Sequence, residues 1–408
     1  DNKIKEILKT SKNSDEVKEA WEASKKQGEI VEKDLLEVVK LRNQLARSLG
    51  FENYYVMSLK ISEQDPDEIE RIFEELSEKT EEPFRELKNE MDEFLSKKFD
   101  VLKEELKPWH YQDLFFQEGP EIYDLNLDDF YKKDILEMSK KFYNGIGMEV
   151  RNILDRSSLY EKEGKCQHAF AIDMDKKGDV RILQNIKNNE KWMGTTLHEL
   201  GHAVYWLGIN SELPFVLREV AHTFTTESIA MLFGRLSKNS SFVKEHSENL
   251  DESNLEILDN FWKTLKLSQL VTCRWYQVMV NFERELYKNP DQDLNKLWWS
   301  FVKKFQLVDF YRDKPDWASK IHFSNAPVYY HNYMLGELLA SQLHNKITKD
   351  ILKQSSLKNV NYSNNKEIGD FLKKEIFYPG LTYRWDVLVE KATGEKLTPK
   401  YFVEEFTE

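Results

Sequence analysis

Helix breakers are scarce in this chain, which carries only 15 Gly and 10 Pro in 408 residues, roughly half the usual share. Glycine supplies the positive φ of tight turns and proline ends helices. A chain short of both cannot build the many turns of a β-sandwich. Long helices are the expected alternative. Hydrophobic residues make up 40% of the chain and aromatics 13%, enough bulky side chain for a real core and too much for a disordered scaffold. A length of 408 residues fits two or three domains, or one large single-cored unit.

Periodicity agrees with this reading. Helical spacing runs from Lys3 to about Lys107. Ser14-Asp15-Glu16 reads as a helix start, and Val31, Leu35, Val38 and Leu45 recur as a stripe that Gly50 ends. Asp65-Pro66-Asp67 opens a second helix with Ile69, Ile72, Phe73 and Leu76 on one face. The pattern weakens between about Leu106 and Tyr160. Then come two short strand candidates, Gln167 to Ile172 and Val180 to Leu183, joined by the turn Asp175-Lys176-Lys177-Gly178-Asp179. Helical spacing returns after about Asn188, punctuated by Gly208, Gly234 and Gly336 and broken at Pro290, Pro315 and Pro327. The expected fold is mainly α with one small β-hairpin.

A formal charge of −13 argues against nucleic acid or anionic membranes as partners, since both demand a positive footprint. No apolar run approaches the roughly 18 residues of a membrane-spanning helix. The chain opens on charged residues, Asp1-Asn2-Lys3, so no leader is read there. Cys166 and Cys273 lie far apart without CxxC spacing, which excludes a disulfide framework and favours a reducing cytoplasm, with secretion as the alternative.

One stretch carries chemistry. His198-Glu199-Leu200-Gly201-His202 is an HExxH sequence in a helix-compatible run. Residues four apart stand one above the other on a helix, so His198 and His202 can aim ring nitrogens at one metal. Glu199 lies about 100° round the helix, beside that metal, where it can take a proton from an attacking water. Two neutral imidazoles plus a carboxylate suit Zn2+. The bland reading is a pair of histidines packed in a helix face. A third ligand is expected after the turn at Leu213-Pro214. Glu227 heads the apolar run Ile229 to Phe233, where an unpaired charge is costly, so it is the first candidate. The alternatives are Glu219, His222, or no third ligand in this segment.

At these residues the chain resembles the angiotensin-converting-enzyme family of zinc peptidyl-dipeptidases. The likeness takes in the segment from Leu213-Pro214 to Glu227, the hairpin residues Cys166 to Ala171 and Asp179 to Ile182, Lys320-Ile321-His322, and Tyr330-His331-Asn332-Tyr333. Trp298-Trp299, Arg274-Trp275 and, more loosely, Arg42 to Arg47 also fit. The resemblance implies a two-lobed helical gluzincin with a deep central cleft, residues 1–408 forming one catalytic unit without the family's N-terminal lid helices. It implies zinc on His198, His202 and Glu227, with Glu199 as general base. It implies Tyr333 and His322 as oxyanion donors, Lys320 and Tyr330 at the substrate's terminal carboxylate, and His168 and Ala169 along the peptide. Short peptides would be the substrates.

Three positions depart from the family pattern. Met231 stands where the family carries an Asp that orients a zinc histidine, so another acceptor is expected to do this. Asn332 replaces an Arg, which puts chloride activation in doubt. Asn185 replaces the cysteine that would pair with Cys166. The alternative functions are an oligo-endopeptidase, a single-residue carboxypeptidase, and a peptide-binding pseudo-peptidase.

Overall fold

The structure, a computed structural model, describes residues 2–247 and 255–407. Four helices come first: α1 (Asn2–Thr10), α2 (Ser14–Ser48), α3 (Tyr54–Ile61) and α4 (Pro66–Phe99). After short 3₁₀ turns come α5 (Ile135–Gly145) and α6 (Arg151–Asp155), then the strands β1 (Phe170–Asp173) and β2 (Val180–Leu183). The remaining helices are α7 (Glu190–Gly208), α8 (Thr223–Gly234), α9 (Ser240–His246), α10 (Leu255–Lys288), α11 (Leu294–Phe301), α12 (His322–Asn325), α13 (Tyr330–Lys346), α14 (Lys366–Leu372), α15 (Trp385–Thr393) and α16 (Lys400–Thr407). The fold is mainly α with one two-stranded antiparallel sheet among the described residues. No helix among them is long and apolar enough to cross a membrane. The chain divides into two units, one holding residues 1–122 and 266–334, the other 123–265 and 335–406.

In the first unit α2 starts at Ser14 because Asn13 caps it, its side chain accepting the backbone N–H groups of Asp15 and Glu16. It ends where Gly50 takes φ +85° and the Phe51 N–H returns to the Ala46 carbonyl. The buried face differs from the expected stripe. It runs through Val17, Trp21, Lys25, Gly28, Leu35, Val39, Asn43 and Ala46, while Val38 and Leu45 face solvent. Lys25, Gly28 and Asn43 interrupt the apolar residues of this face. The Lys25 ammonium sits 3.1 Å from the centroid of Phe115. Asn43 donates to the Tyr287 carbonyl at 2.8 Å and accepts the Tyr54 N–H. A Cβ on Gly28 would stand 2.2 Å from the Pro315 carbonyl oxygen, so only glycine admits that loop. The core around this face is aromatic, with Trp21 against Trp109, Trp299 and Phe310. The α4 face of Ile69, Ile72, Phe73 and Leu76 is buried as read.

A strained turn precedes α13. Val328 follows Pro327 and adopts φ +54°, a conformation costly for a β-branched residue. The Glu283 carboxyl accepts the Val328 N–H at 2.8 Å and so holds the turn. Burial pushes that carboxyl up to about 8.

In the second unit α5 and α6 occupy the stretch where periodicity weakened. Ile135, Leu136, Met138, Phe142 and Tyr143 form the buried face of α5 behind an Asp134 cap, a pattern short enough to be lost among neighbouring turns. β2 falls where expected, but β1 begins at Phe170, three residues later than read, with Phe170 opposite Leu183 and Asp173 opposite Val180. Gly336 lies inside α13 and is not a break. A Cβ there would come within 3.0 Å of Glu227 Cβ and 3.1 Å of Met231 Sδ.

The Glu283 carboxyl predicts a pH effect. Its folded value lies above the ordinary carboxylate range, so the stability it contributes is full below about 4.5 and is lost as pH rises through about 8. Between those limits the wild type should lose up to about 1.4 kcal/mol per pH unit relative to Glu283→Gln, which keeps an acceptor for Val328. Urea unfolding of both proteins at pH 5 and pH 8 measures this; parallel profiles would contradict it.

Candidate metal centre

The helix α7 carries His198, Glu199 and His202. Asn189 caps it, accepting the Trp192 N–H at 3.0 Å. Three contacts hold the turn before the histidines. The Tyr143 phenol donates to the Leu197 carbonyl at 2.5 Å. Thr196 donates to Gln184 at 3.1 Å, and Gln184, at the end of β2, donates back to the Thr195 carbonyl at 3.3 Å. Lys165 braces the same corner by donating to the carbonyls of Ser158, Tyr160 and Gln184.

Glu227 reaches the histidines because α7 and α8 cross almost backbone to backbone. A Cβ on Gly201 would lie 2.7 Å from Ala230 Cα and 3.1 Å from Ala230 N, so the residue just before His202 must be glycine for the helices to meet. Glu227 sits three residues before Ala230, on the turn of α8 that faces the imidazoles. Its Oε2 stands 3.7 Å from His198 Nε2 and 3.8 Å from His202 Nε2, and the two Nε2 atoms are 3.2 Å apart. A tetrahedral ion at 2.0–2.1 Å from each donor spaces its ligands about 3.3 Å apart, so the three atoms form a triangle of the right size. Burial lowers His198 to about 4 and His202 well below its ordinary value. Both rings are therefore neutral near pH 7, the form that ligates. The donor set fits a metal of the zinc type, and these three residues form a possible metal-binding group.

Glu199 stands beside the triangle and outside it. Burial first, and then the neighbouring Glu227 charge, push its carboxyl up to about 8, while a hydrogen bond from the Ala171 N–H pulls the other way. Ala171 lies on the edge of β1 turned away from β2. The two alternatives for the third ligand are occupied elsewhere. Glu219 pairs with Lys176 at 2.9 Å and accepts the Trp206 indole N–H. His222 caps α8, its Nδ1 accepting the Phe224 N–H.

The remaining predicted residues divide between the units. His168 is exposed and Ala169 half-buried, both just before β1 and not within it. Lys320, Tyr330, His322 and Tyr333 come together in the other unit. The Lys320 ammonium donates to Gln117 at 2.6 Å among the rings of Phe115, Trp275 and Tyr330, and burial lowers it to about 8. The Tyr330 hydroxyl accepts the Trp275 indole N–H at 3.3 Å. His322 packs edge-on to Tyr330 and Tyr333, and Tyr333 stacks on Tyr276. Asn332 accepts the Gln64 amide at 2.9 Å, and Gln64 meets His331 at 2.7 Å.

The structure also shows how the departures are accommodated. Met231 is buried against Gly336. The polar group beside the ring of His202 is the hydroxyl of Thr226, whose Oγ1 lies 2.8 Å from Nδ1. The side chain of Asn185 donates to the Cys166 carbonyl at 2.9 Å, tying the loop that a disulfide would tie. Neither Cys166 nor Cys273 is in a disulfide. Sequence reasoning missed Thr226 and the Ala171 N–H. Thr226 adjoins Glu227 and was open to a helical-wheel argument; a backbone donor leaves no mark in the sequence.

A mainly helical fold with HExxH on one helix and a facing carboxylate on the next is the framework of a metallopeptidase. The family described as "Angiotensin-converting enzyme" matches residues 121–406, and the chain belongs to it. It is 25% identical over 280 residues to the angiotensin-converting enzyme of Theromyzon tessulatum, a span covering 65% of this chain and 45% of that protein. It is also 25% identical over 284 residues to the angiotensin-converting enzyme of Mesocricetus auratus, covering 66% and 20%. The chain thus spans less than half the length of these curated relatives.

Gly201→Ala tests the helix crossing. The added methyl meets backbone, which cannot swing aside, so α7 and α8 must part. A loss of about 1–3 kcal/mol in denaturant unfolding is expected, together with weaker zinc binding by chelator competition. Unchanged values for both would show that the crossing is not this tight.

Proposed function

We propose that the chain is a zinc-dependent peptidase acting on short peptides, releasing dipeptides from their C-termini. The observation that carries the metal centre is the triangle of His198, His202 and Glu227, with edges of 3.2–3.8 Å and Glu199 beside it. Family membership supports the metallopeptidase class. Release of dipeptides in particular rests on the resemblance of Lys320, His322, Tyr330 and Tyr333 to the family's elements.

A zinc ion bound there would polarise the scissile carbonyl and make water more acidic. In this reading His198, His202 and Glu227 hold the ion. Glu199 takes the proton of the attacking water and hands it to the leaving amine, and the Ala171 N–H keeps its carboxylate aimed. Tyr333 and His322 donate hydrogen bonds to the developing oxyanion. Lys320, with Tyr330, pairs with the free carboxylate of the peptide, which sets the length of the product. The backbone at His168 and Ala169, on the free edge leading into β1, pairs with the extended peptide.

Two experiments test this reading. Glu199→Gln should bind zinc as the wild type does and lose at least about 10²-fold in kcat, the usual range for a removed general base; unchanged turnover would sink the mechanism. A single peptide offered to zinc-loaded protein with free and with amidated C-terminus, followed by mass spectrometry, tests the anchor. Dipeptides are expected from the free acid alone. Internal cuts in both forms would mean an oligo-endopeptidase, single residues a carboxypeptidase, and no cleavage of either a peptide-binding protein.

A further inference from the structure

His202 offers two ring nitrogens, and the structure gives each a different neighbour. Nε2 faces His198 Nε2 and Glu227. Nδ1 lies 2.8 Å from the hydroxyl of Thr226. An imidazole that ligates through Nε2 must carry its proton on Nδ1, and that proton needs an acceptor. Thr226 is buried in α8, where bulk water does not compete for the bond. The ring also packs against Trp206 at 6.1 Å between centroids, which limits its rotation from the other side.

We propose that Thr226 is the positioning residue of the metal centre. By accepting the Nδ1–H of His202 it fixes the tautomer and the ring plane, so that Nε2 points at the ion. Two carboxylates, Glu199 and Glu227, are already buried here. A hydroxyl orients the ring without burying a third negative charge beside them. Glu227 and its neighbour Thr226 then make α8 the source of one ligand and of the group that aims another. A shift of α8 along α7 would disturb both at once.

This inference rests on the metal reading of the site, and the test separates the two. Zn2+ affinity is measured by competition with a chromophoric chelator for the wild type, Thr226→Val and Thr226→Ser. Valine keeps the shape and removes the hydroxyl; serine keeps the hydroxyl. Thr226→Val should bind zinc about 10- to 100-fold more weakly, and Thr226→Ser should recover most of the loss. In zinc-loaded protein with ¹⁵N-labelled histidine, the Nδ1–H signal of His202 should exchange slowly in the wild type and rapidly in Thr226→Val. Wild-type affinity and slow exchange in Thr226→Val would overturn the proposal. So would equal losses in the valine and serine variants, which point to packing. A wild type that binds no zinc would overturn the metal reading itself, and this inference with it. Should Thr226→Val fail to fold, the Nδ1–H signal compared between the wild type and Thr226→Ser decides: an unprotected proton in both overturns the proposal.

Discussion

The close crossing of α7 and α8 is the constraint on which the candidate centre depends. Two helices ordinarily pack with axes 8–10 Å apart because side chains stand between them. At Gly201 there is no side chain, and Ala230 opposite has only a methyl, so backbone meets backbone. That approach brings Glu227 within 3.8 Å of both imidazoles. Gly336 of α13 extends the same device, closing on Glu227 and Met231 from another side. Small residues at three places thus set the position of one carboxylate.

Around that crossing the polar groups are arranged so that each functional side chain has a reason for its orientation. The Leu197 and Thr195 carbonyls accept from Tyr143 and Gln184, which fixes the turn of α7 entering the site. Ala171 donates to Glu199, and Thr226 stands at His202. Buried polar groups left alone are costly, whereas satisfied ones specify a single geometry. Burial also keeps both histidines neutral.

Much of this was legible along the chain. The shortage of Gly and Pro indicated helices. Asp65 and the residues around Ser14 marked helix starts, and the four-residue spacing of His198 and His202 marked a candidate metal site. The failures have a common cause. On α2 a search for apolar residues chose Val38 and Leu45, but the buried face passes through Lys25, Gly28 and Asn43. Those residues are buried because particular partners receive them: a ring for Lys25, a carbonyl for Asn43, and an approaching loop for Gly28. Likewise Gly336 read as punctuation, although its missing side chain makes room inside a helix. At β1 three residues taken as strand precede the pairing, because the ladder begins only where Phe170 meets Leu183.

The sequence by itself determined the class of fold, the HExxH helix and the likeness to a family, because these depend on spacing within a segment and on composition. It left Glu227, Glu219 and His222 in competition. Tertiary structure separated them: Lys176 and Trp206 take Glu219, the start of α8 takes His222, and the helix crossing delivers Glu227 to the imidazoles. Which carboxylate joins a site is a matter of distance between elements remote in the chain, and distance is set by packing. The placement of Thr226 at His202 and of the Ala171 N–H at Glu199 was decided there too. A hydrogen bond requires two groups within about 3 Å, and no pattern along one strand or helix records what another brings to it.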